Sequence, residues 1–355
     1  MTSTPRPAPR TPTERMPSRI ERLRGGVYGL LVGDALGVPY EFHPASTIPP
    51  LEAIEMSPPP GFHRAHAGVP PGTWSDDGAQ ALVLLESLIR CGGLDVADLG
   101  SGLVAWLDQG RYAVDRRVFD VGIQTGQALR LIRSGHPAAT AGSTDPHAMG
   151  NGSLMRVLPL ALTPQATDDD RLIADAFAQS AVTHGHPGCQ VACAVYCLWA
   201  RRVLDGEPVE RAWQGARDAF ESRYAVGSPE RATLDSIVPA DGGWEDSGTG
   251  YVVDSLRAAL TLTGAVRRPG APPVTVGSVG DGGSHAGVHL DFESIVRGAI
   301  ALGDDTDTTA CIAGGIAGLV VGEDGIPQRW REALRARELV EPLLRALTRE
   351  PGAES

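Results

Sequence analysis

The stretch GTWSDDGAQALVLLESLIRC, residues 72–91, carries the pattern that decides the fold class. Its leucines Leu82, Leu85 and Leu88 recur every third residue, which places them on one face of an α-helix. The same spacing of apolar residues recurs along most of the chain, whereas the strict alternation of a β-strand is scarce. The sequence therefore predicts an all-α fold. It favours a compact orthogonal helical bundle, because no repeat of fixed period points to a solenoid.

Helices are predicted over residues 26–36, 77–91, 118–134, 169–182, 186–204, 208–224, 252–262, 292–302, 308–321 and 327–346. Two proline- or glycine-rich stretches, 43–72 and 267–289, instead predict long loops, which in a compact domain are often lids or binding loops. Glycines spaced by four residues let two helix backbones approach closely. Because each interior glycine weakens its helix, their repeated use predicts such a contact. These glycines are Gly29, Gly33, Gly37, Gly314 and Gly318.

The whole chain predicts one large domain. It has 355 residues, 42% of them hydrophobic and only 5% aromatic, enough for a large aliphatic core. One domain is expected over residues 21–348, after a proline-rich, disordered leader at 1–20 and before a short tail at 349–355. The net charge of −12 argues against general nucleic-acid binding, although a small diphosphate remains compatible with it.

Composition also predicts the compartment. The apolar runs around Leu30 and Val320 are shorter than the roughly 20 residues that a bilayer requires, so no membrane partner is expected. The N-terminus lacks the apolar segment of a secretory signal. Five cysteines without zinc-type spacings favour reduced thiols and a cytoplasmic protein. The protein is also expected to be a monomer. Cys189, Cys193 and Cys197 recur every four residues and predict a buried helix face.

The start of the helix at 77–91 has two interpretations. Ser75 is a preferred N-cap residue, and Asp76 and Asp77 in the first turn would complement the helix dipole. The alternative is a metal site, because a similar acidic start recurs as GDDTDTT at 303–309, ahead of a helix of small residues. If the two starts converge, each pair of carboxylates about 4 Å apart would repel by on the order of 4 kcal/mol. Hard oxygen ligands would then select Mg²⁺, Mn²⁺ or Ca²⁺ over Zn²⁺.

Two further motifs are ambiguous on their own. The sequence GNGS at 150–153 could offer backbone N–H groups to an anion, or it could be a plain turn. His184, ahead of the cysteine-containing helix, could contact a ligand or simply lie in the loop before the helix.

Taken in order, the motifs resemble those of the ADP-ribosylglycohydrolases. They are GDALG at 33–37 with Glu41, WSDD at 74–77, GNGS at 150–153 with Met155 and Arg156, Thr183 with His184, GYVVDSL at 250–256 and DTDT at 305–308. That family includes the dinitrogenase reductase-activating glycohydrolases and the ADP-ribosylarginine and ADP-ribosylserine hydrolases. The resemblance runs from about residue 23 to about residue 322.

The resemblance implies an all-α fold with two Mg²⁺ or Mn²⁺ ions. The implied metal ligands are Ser75, Asp76, Asp77, Asp305, Asp307 and Thr308. For catalysis, Asp305 or Asp76 would steer the attacking water, with Glu41, on a segment that can move as a flap, as the alternative proton-transfer group. For the substrate, the implied contacts are Gly150, Asn151, Gly152 and Ser153 at the diphosphate, and His184 and Tyr251 at the distal ribose and adenine.

The sequence departs from the family pattern at three positions. Ser75 stands where many members have threonine, and Gly78 where many have a second threonine. Asp304 adds an acid that could change metal affinity.

The expected function is metal-dependent hydrolysis of the glycosidic bond between ADP-ribose and a modified target. The target could be a protein side chain or a small ADP-ribose conjugate. Two alternatives belong to other classes: a protein that binds ADP-ribose without cleaving it, and a structural helical protein whose aspartates are ordinary caps. The scissile linkage stays open between arginine, serine, O-acetyl-ADP-ribose and a nucleobase, with a slight preference for arginine from family prevalence.

Overall fold

The computed structural model describes residues 16–164, 168–267, 274–276 and 288–348. The predicted tail at 349–355 lies outside the described residues, and so does most of the predicted leader. The first helix begins at Arg19, inside the segment 1–20, because Ser18 and Glu21 form a capping box that satisfies its first N–H groups.

The described residues are mainly helical, which confirms the all-α prediction. The helices are α1 (Arg19–Gly37), α2 (Asp76–Cys91), α3 (Val96–Gln109), α4 (Ile123–Arg133), α5 (Leu158–Leu162), α6 (Asp169–Ala181), α7 (Pro187–Leu204), α8 (Val209–Arg223), α9 (Pro229–Ile237), α10 (Val252–Leu262), α11 (Phe292–Ile300), α12 (Thr306–Val321), α13 (Gln328–Ala333) and α14 (Arg337–Thr348). Two short parallel strands, β1 (Val274–Val276) and β2 (Val288–Leu290), pair within the stretch predicted as a loop.

Some helix predictions were wrong in their bounds. The segment 327–346 is two helices, α13 and α14, because the chain turns between them and Ala336 takes a φ of +51°. The segment 118–134 becomes helical only at Ile123. Three helices, α3, α5 and α9, were not predicted: Gly100 and Gly102 weaken the helical pattern of α3, and α5 is too short to show one.

Helices α1 and α12 pack backbone against backbone, as the glycine spacing predicts. A Cβ atom on Gly33 would lie 2.1 Å from the carbonyl oxygen of Ala310, so no larger residue fits there. At the end of α1, a Cβ on Gly37 would lie 2.3 Å from the Cα of Asp307. This close packing brings the last turn of α1 against the acidic start of α12.

The core surrounds this helix pair. Cys189, Cys193 and Cys197 on α7 are fully buried, which confirms the core interpretation of the cysteine pattern. Among the described helices, none is long and apolar enough to cross a membrane.

Candidate active site

Asp34, in the last turn of α1, holds the start of α2 in place. Its carboxylate accepts hydrogen bonds from the backbone N–H of Ser75 at 2.8 Å and of Gly78 at 2.8 Å. A Cβ on Gly78 would lie 2.7 Å from Leu31 Cδ2 and 3.0 Å from the Asp34 carboxylate, so in this chain a side chain at that position would require its neighbours to shift. Asp34 was not among the predicted site residues, although an acid at the C-terminal end of a buried helix opposes the helix dipole and could have signalled a role.

The two acidic helix starts converge. Carboxylate oxygens of Asp34, Asp77 and Asp307 all lie within 4.8 Å of one another, and all three residues are buried. A second group within the same limit joins Glu41, Asp305 and Asp307. Ser75 caps α2 by accepting from the Asp77 N–H at 3.3 Å, so the capping interpretation is locally correct without excluding a metal site.

Two oxygens in this acidic cluster have no hydrogen-bond partner among the described residues. Asp77 Oδ2 accepts from the Ser75 hydroxyl at 2.9 Å, and Asp307 Oδ1 accepts from the Thr308 N–H at 2.9 Å. Their other oxygens, Asp77 Oδ1 and Asp307 Oδ2, are buried and form no hydrogen bond within the described part of the chain. A buried polar atom without a partner is costly, and a divalent cation with oxygen ligands would satisfy both. The donor set therefore fits a hard divalent cation.

The electrostatics are those of buried carboxylates crowded together. Burial, reinforced by neighbouring carboxylates, raises the pKa values of Asp76, Asp77 and Asp307 well above the ordinary aspartate value. Burial also raises the pKa of Asp34 to about 7, although its hydrogen bonds from Ser75 and Gly78 act in the opposite direction. Without positive charge, these side chains tend to retain protons.

Asp76 belongs to none of the carboxylate clusters found among the described residues. Its Oδ2 accepts a hydrogen bond from Gln80 Nε2 at 2.8 Å, one helical turn further along α2. Ser75, Asp76 and Thr308 are all buried at the two helix starts.

Glu41 also belongs to a third group, with two residues that were not predicted. His66 Nε2 lies 2.6 Å from Glu41 Oε2, and Asp120 completes the group. Burial, followed by the charges of Asp120, Asp305 and Asp77, raises the pKa of Glu41 to about 11. Both His66 and Asp120 take a positive φ in irregular segments, and Asp120 lies in the part of the predicted helix 118–134 that is not helical.

The segment that carries Glu41 is tied to the loop before α12. Phe42 N–H donates to the Asp304 carbonyl at 2.7 Å, and Asp304 N–H donates to the His43 carbonyl at 2.7 Å. Asp304 itself is exposed and lies outside the carboxylate groups found among the described residues. Glu41 is thus positioned by backbone contacts to the chain that carries Asp305.

The glycine turn at 150–153 borders the acidic cluster. Asn151 Nδ2 donates to Asp305 Oδ2 at 2.7 Å, and Asn151 N–H donates to the Gly250 carbonyl at 3.1 Å. The N–H groups of Gly152 and Ser153 form no hydrogen bond within the described ranges. Two consecutive free N–H groups are what an anion cradle requires.

The other predicted substrate residues differ in exposure. The Ser153 side chain points inward, where its hydroxyl lies 2.8 Å from Ser180 Oγ, and the residue as a whole is buried. His184 is 2% exposed, and a Cβ on Gly152 would lie 2.8 Å from His184 Cε1. Tyr251 is 42% exposed and, with Met149, lines a cleft of about 450 Å³.

Comparisons with known proteins point to one family. A family model described as ADP-ribosylglycohydrolase matches residues 15–354. The chain is 27% identical to the ADP-ribosylarginine hydrolase Tri1 of Serratia proteamaculans, over 92% of this chain and 79% of that protein. It is 28% identical to the ADP-ribosyl-[dinitrogen reductase] glycohydrolase of Rhodospirillum rubrum, over 90% of this chain and 92% of that protein.

A solved structure titled ADP-ribosylglycohydrolase-related protein complex superposes with a TM-score of 0.69 at 31% identity, covering 93% of this chain and 97% of that chain. Since the family model extends over nearly the whole sequence and the fold agrees, the chain belongs to the ADP-ribosylglycohydrolase family.

Proposed function

We propose that this protein hydrolyses the glycosidic bond between ADP-ribose and a modified target, with two Mg²⁺ or Mn²⁺ ions as cofactors. The target is an ADP-ribosylated protein or a small ADP-ribose conjugate. The observation that carries the proposal is the pair of buried, unpartnered oxygens on Asp77 and Asp307 beside a turn with free N–H groups. A cation site would hold the ribose hydroxyls, and the neighbouring anion site would hold the diphosphate. Their proximity suits a substrate in which a ribose is joined to a diphosphate.

The residues proposed to hold the cations are Ser75, Asp76, Asp77, Asp305, Asp307 and Thr308. Asp34 has a different role in this proposal, since backbone N–H groups already engage both of its oxygens and it thereby positions Ser75. Bound divalent cations would supply Lewis-acid stabilisation and lower the pKa of water.

The proposed diphosphate site is the turn formed by Gly150, Asn151, Gly152 and Ser153. The N–H groups of Gly152 and Ser153 would donate to phosphate oxygens, because they have no partner within the described chain. His184 and Tyr251 would contact the distal ribose and the adenine. The cleft lined by Met149 and Tyr251 offers space for this half of the ligand.

Asp305 is the favoured residue for steering the attacking water. Its carboxylate lies close to those of Glu41 and Asp307, and Asn151 connects it to the proposed diphosphate turn by a hydrogen bond. Asp76 stays the second candidate, although its Oδ2 is occupied by Gln80. Glu41 would hold the proton that the leaving group needs, and His66 would orient its carboxyl group.

An arginine linkage is the favoured one. Beside Glu41, the His66 ring lies between Phe42 and Phe119, with centroid distances of 5.5 and 5.0 Å. Phe42 is 68% exposed, and Asp120 adds a carboxylate to the same cluster. Aromatic faces and carboxylates attract a cation, and the guanidinium of an arginine conjugate is cationic before it leaves as guanidine and takes up a proton, whereas a serine conjugate is neutral there.

A linkage panel tests the function. ADP-ribosyl-arginine, ADP-ribosyl-serine and O-acetyl-ADP-ribose are each incubated with the protein in Mg²⁺, in Mn²⁺ and in EDTA, and released ADP-ribose is measured. We expect turnover of the arginine conjugate with metal and none in EDTA. Binding of ADP-ribose without turnover of any conjugate would instead indicate a binding protein, and turnover in EDTA would exclude the metal-dependent reaction.

A further inference from the structure

Arg156 is a buried cation that pairs with no carboxylate of the described residues. Its side chain is 0% exposed, and no ion pair to it exists in the described part of the chain. Burying a charge costs free energy, which hydrogen bonds to the charged group must offset. Its position, four residues after Gly152 and directly before the core segment of α5, therefore calls for an explanation.

All five guanidinium N–H groups of Arg156 have acceptors, and these lie on three separate segments. Nη1 donates to Gln80 Oε1 at 3.0 Å on α2 and to the Gly152 carbonyl at 3.3 Å in the glycine turn. The remaining donors reach the end of α6 and the residues after it, at Gln179 Oε1 (3.2 Å), the Gln179 carbonyl (3.1 Å) and Thr183 Oγ1 (2.7 Å). Every contact is to a neutral oxygen.

The first consequence concerns Gln80. Arginine can only donate hydrogen bonds, so the Gln80 oxygen must face Arg156 and its NH₂ group must face the other way. That NH₂ group donates to Asp76 Oδ2 at 2.8 Å. Arg156 thus determines which end of the Gln80 amide meets the Asp76 carboxylate.

The second consequence concerns the tautomer of His184. Thr183 Oγ1 accepts from Arg156, and it lies 2.8 Å from His184 Nδ1. The Thr183 hydroxyl is buried and has no other partner in the described structure, so its own proton is satisfied only by donation to Nδ1. The neutral ring must then carry its proton on Nε2.

The Nε2 edge of His184 faces the glycine turn. A Cβ atom built on Gly152 would lie 3.2 Å from His184 Nε2, and one built on Gly150 would lie 3.4 Å from it. An N–H group in that place is a donor directed at the substrate side of the turn, whereas a bare nitrogen would be an acceptor that repels phosphate and ribose oxygens. The proton position therefore matters for binding.

We propose that Arg156 is a positioning residue that acts on both halves of the site by the direction of its hydrogen bonds. Through Gln80 it presents an amide N–H to Asp76, and through Thr183 it keeps His184 in the Nε2–H tautomer as a donor for ADP-ribose. This inference rests on the proposed function for its ligand, but the tautomer itself is a property of the free protein.

The tautomer is measured by ¹⁵N NMR on histidine-labelled full-length protein, with the His184 signals identified by their loss in His184→Asn. In the wild type we expect a pyridine-type Nδ1 and a pyrrole-type Nε2. Thr183→Ser keeps the hydroxyl and should keep that spectrum, whereas Thr183→Val and Arg156→Met should shift both nitrogens towards averaged values. A pyrrole-type Nδ1 in the wild type would overturn the proposal.

Calorimetry with ADP-ribose and with Mn²⁺ separates the effect of Arg156 through Thr183 from its effect through Gln80. Thr183→Val should weaken ADP-ribose binding about tenfold and leave Mn²⁺ binding unchanged, while Gln80→Leu should do the reverse. Arg156→Met should weaken both. Equal losses in all three folded variants would mean general damage and would overturn the proposal. If the wild type bound no ADP-ribose, the proposed function would fail, while the NMR spectrum would still decide the role of Arg156.

Discussion

Asn151 donates a hydrogen bond from Nδ2 to Asp305 Oδ2 at 2.7 Å, although the two residues are 154 positions apart in the chain. The contact joins the glycine turn to the start of α12. It places a carboxylate of the acidic cluster directly beside the proposed diphosphate site, and it makes Asp305 the acid whose removal should be most informative.

Asp305→Asn is expected to abolish hydrolysis, because an amide can neither bind a cation strongly nor accept a proton from water. The helical circular dichroism should stay nearly unchanged, since Asp305 stands at the start of α12 and contributes no apolar packing. Asp304→Asn is the matched control: its side chain is exposed, and asparagine tolerates the positive φ found there. Wild-type turnover by Asp305→Asn would contradict the assigned role, and so would a comparable loss in Asp304→Asn.

Divalent metal is expected to stabilise the fold. At a concentration 100 times the dissociation constant, a ligand adds about 2.7 kcal/mol to the unfolding free energy. Asp77→Asn should lose this gain and yet be more stable than the wild type in EDTA, because the substitution removes one acid from a buried cluster. Thermal unfolding with EDTA, Mg²⁺ and Mn²⁺ measures both effects; identical midpoints for the wild type in all three conditions would argue against a metal site.

Without metal, stability should fall as pH rises. The folded pKa values of Asp34 and Asp120, about 7 and about 6, both lie above the ordinary 3.8. The folded state then binds more protons than the unfolded state between about pH 4 and about pH 7, so the unfolding free energy decreases through that window. Urea unfolding in EDTA at several pH values measures the slope. Asp120→Asn should show a shallower decrease, and a slope equal to that of the wild type would count against the Asp120 contribution.

The packing of His184 against the glycine turn predicts a separate effect. In Gly152→Ala the new Cβ would lie 2.8 Å from His184 Cε1, so the ring must move away from the turn. We expect weaker ADP-ribose binding and nearly unchanged Mn²⁺ binding, because neither residue is among the proposed metal ligands. Calorimetric titrations with each ligand test this. Unchanged ADP-ribose affinity in a folded variant would mean that the turn only reverses the chain and does not bind the ligand.

The contact between α1 and α12 predicts the cost of a single methyl group. Gly33→Ala should lower the unfolding free energy by about 3 kcal/mol or more, since its Cβ would lie 2.1 Å from the Ala310 carbonyl oxygen. Gly126→Ala in α4 is the control, because the nearest atom to its Cβ is the flexible Arg130 side chain at 3.4 Å. That variant should be about 0.5–1 kcal/mol more stable than the wild type. Denaturant unfolding of both variants gives the comparison.

Local patterns in the sequence predicted much of this molecule. The spacing of apolar residues predicted most of the helices, and the spacing of glycines predicted the contact between α1 and α12. The acidic starts of α2 and α12 were readable because caps and first-turn acids depend only on neighbouring residues. Their convergence stayed conditional at the sequence level, because it depends on the path of the chain, and the structure shows it.

Tertiary structure alone decided which distant groups meet. Asp34 contacts Ser75 across 41 positions, and Arg156 contacts Gln80 across 76. His66 reaches Glu41 from an irregular loop that no periodicity describes. A hydrogen bond between such residues depends on the path of the whole chain and on which way each side chain points, and neither is encoded in the spacing of nearby residues. The sequence by itself therefore determined the helices and the acids at their starts, while packing decided which partner each acid received.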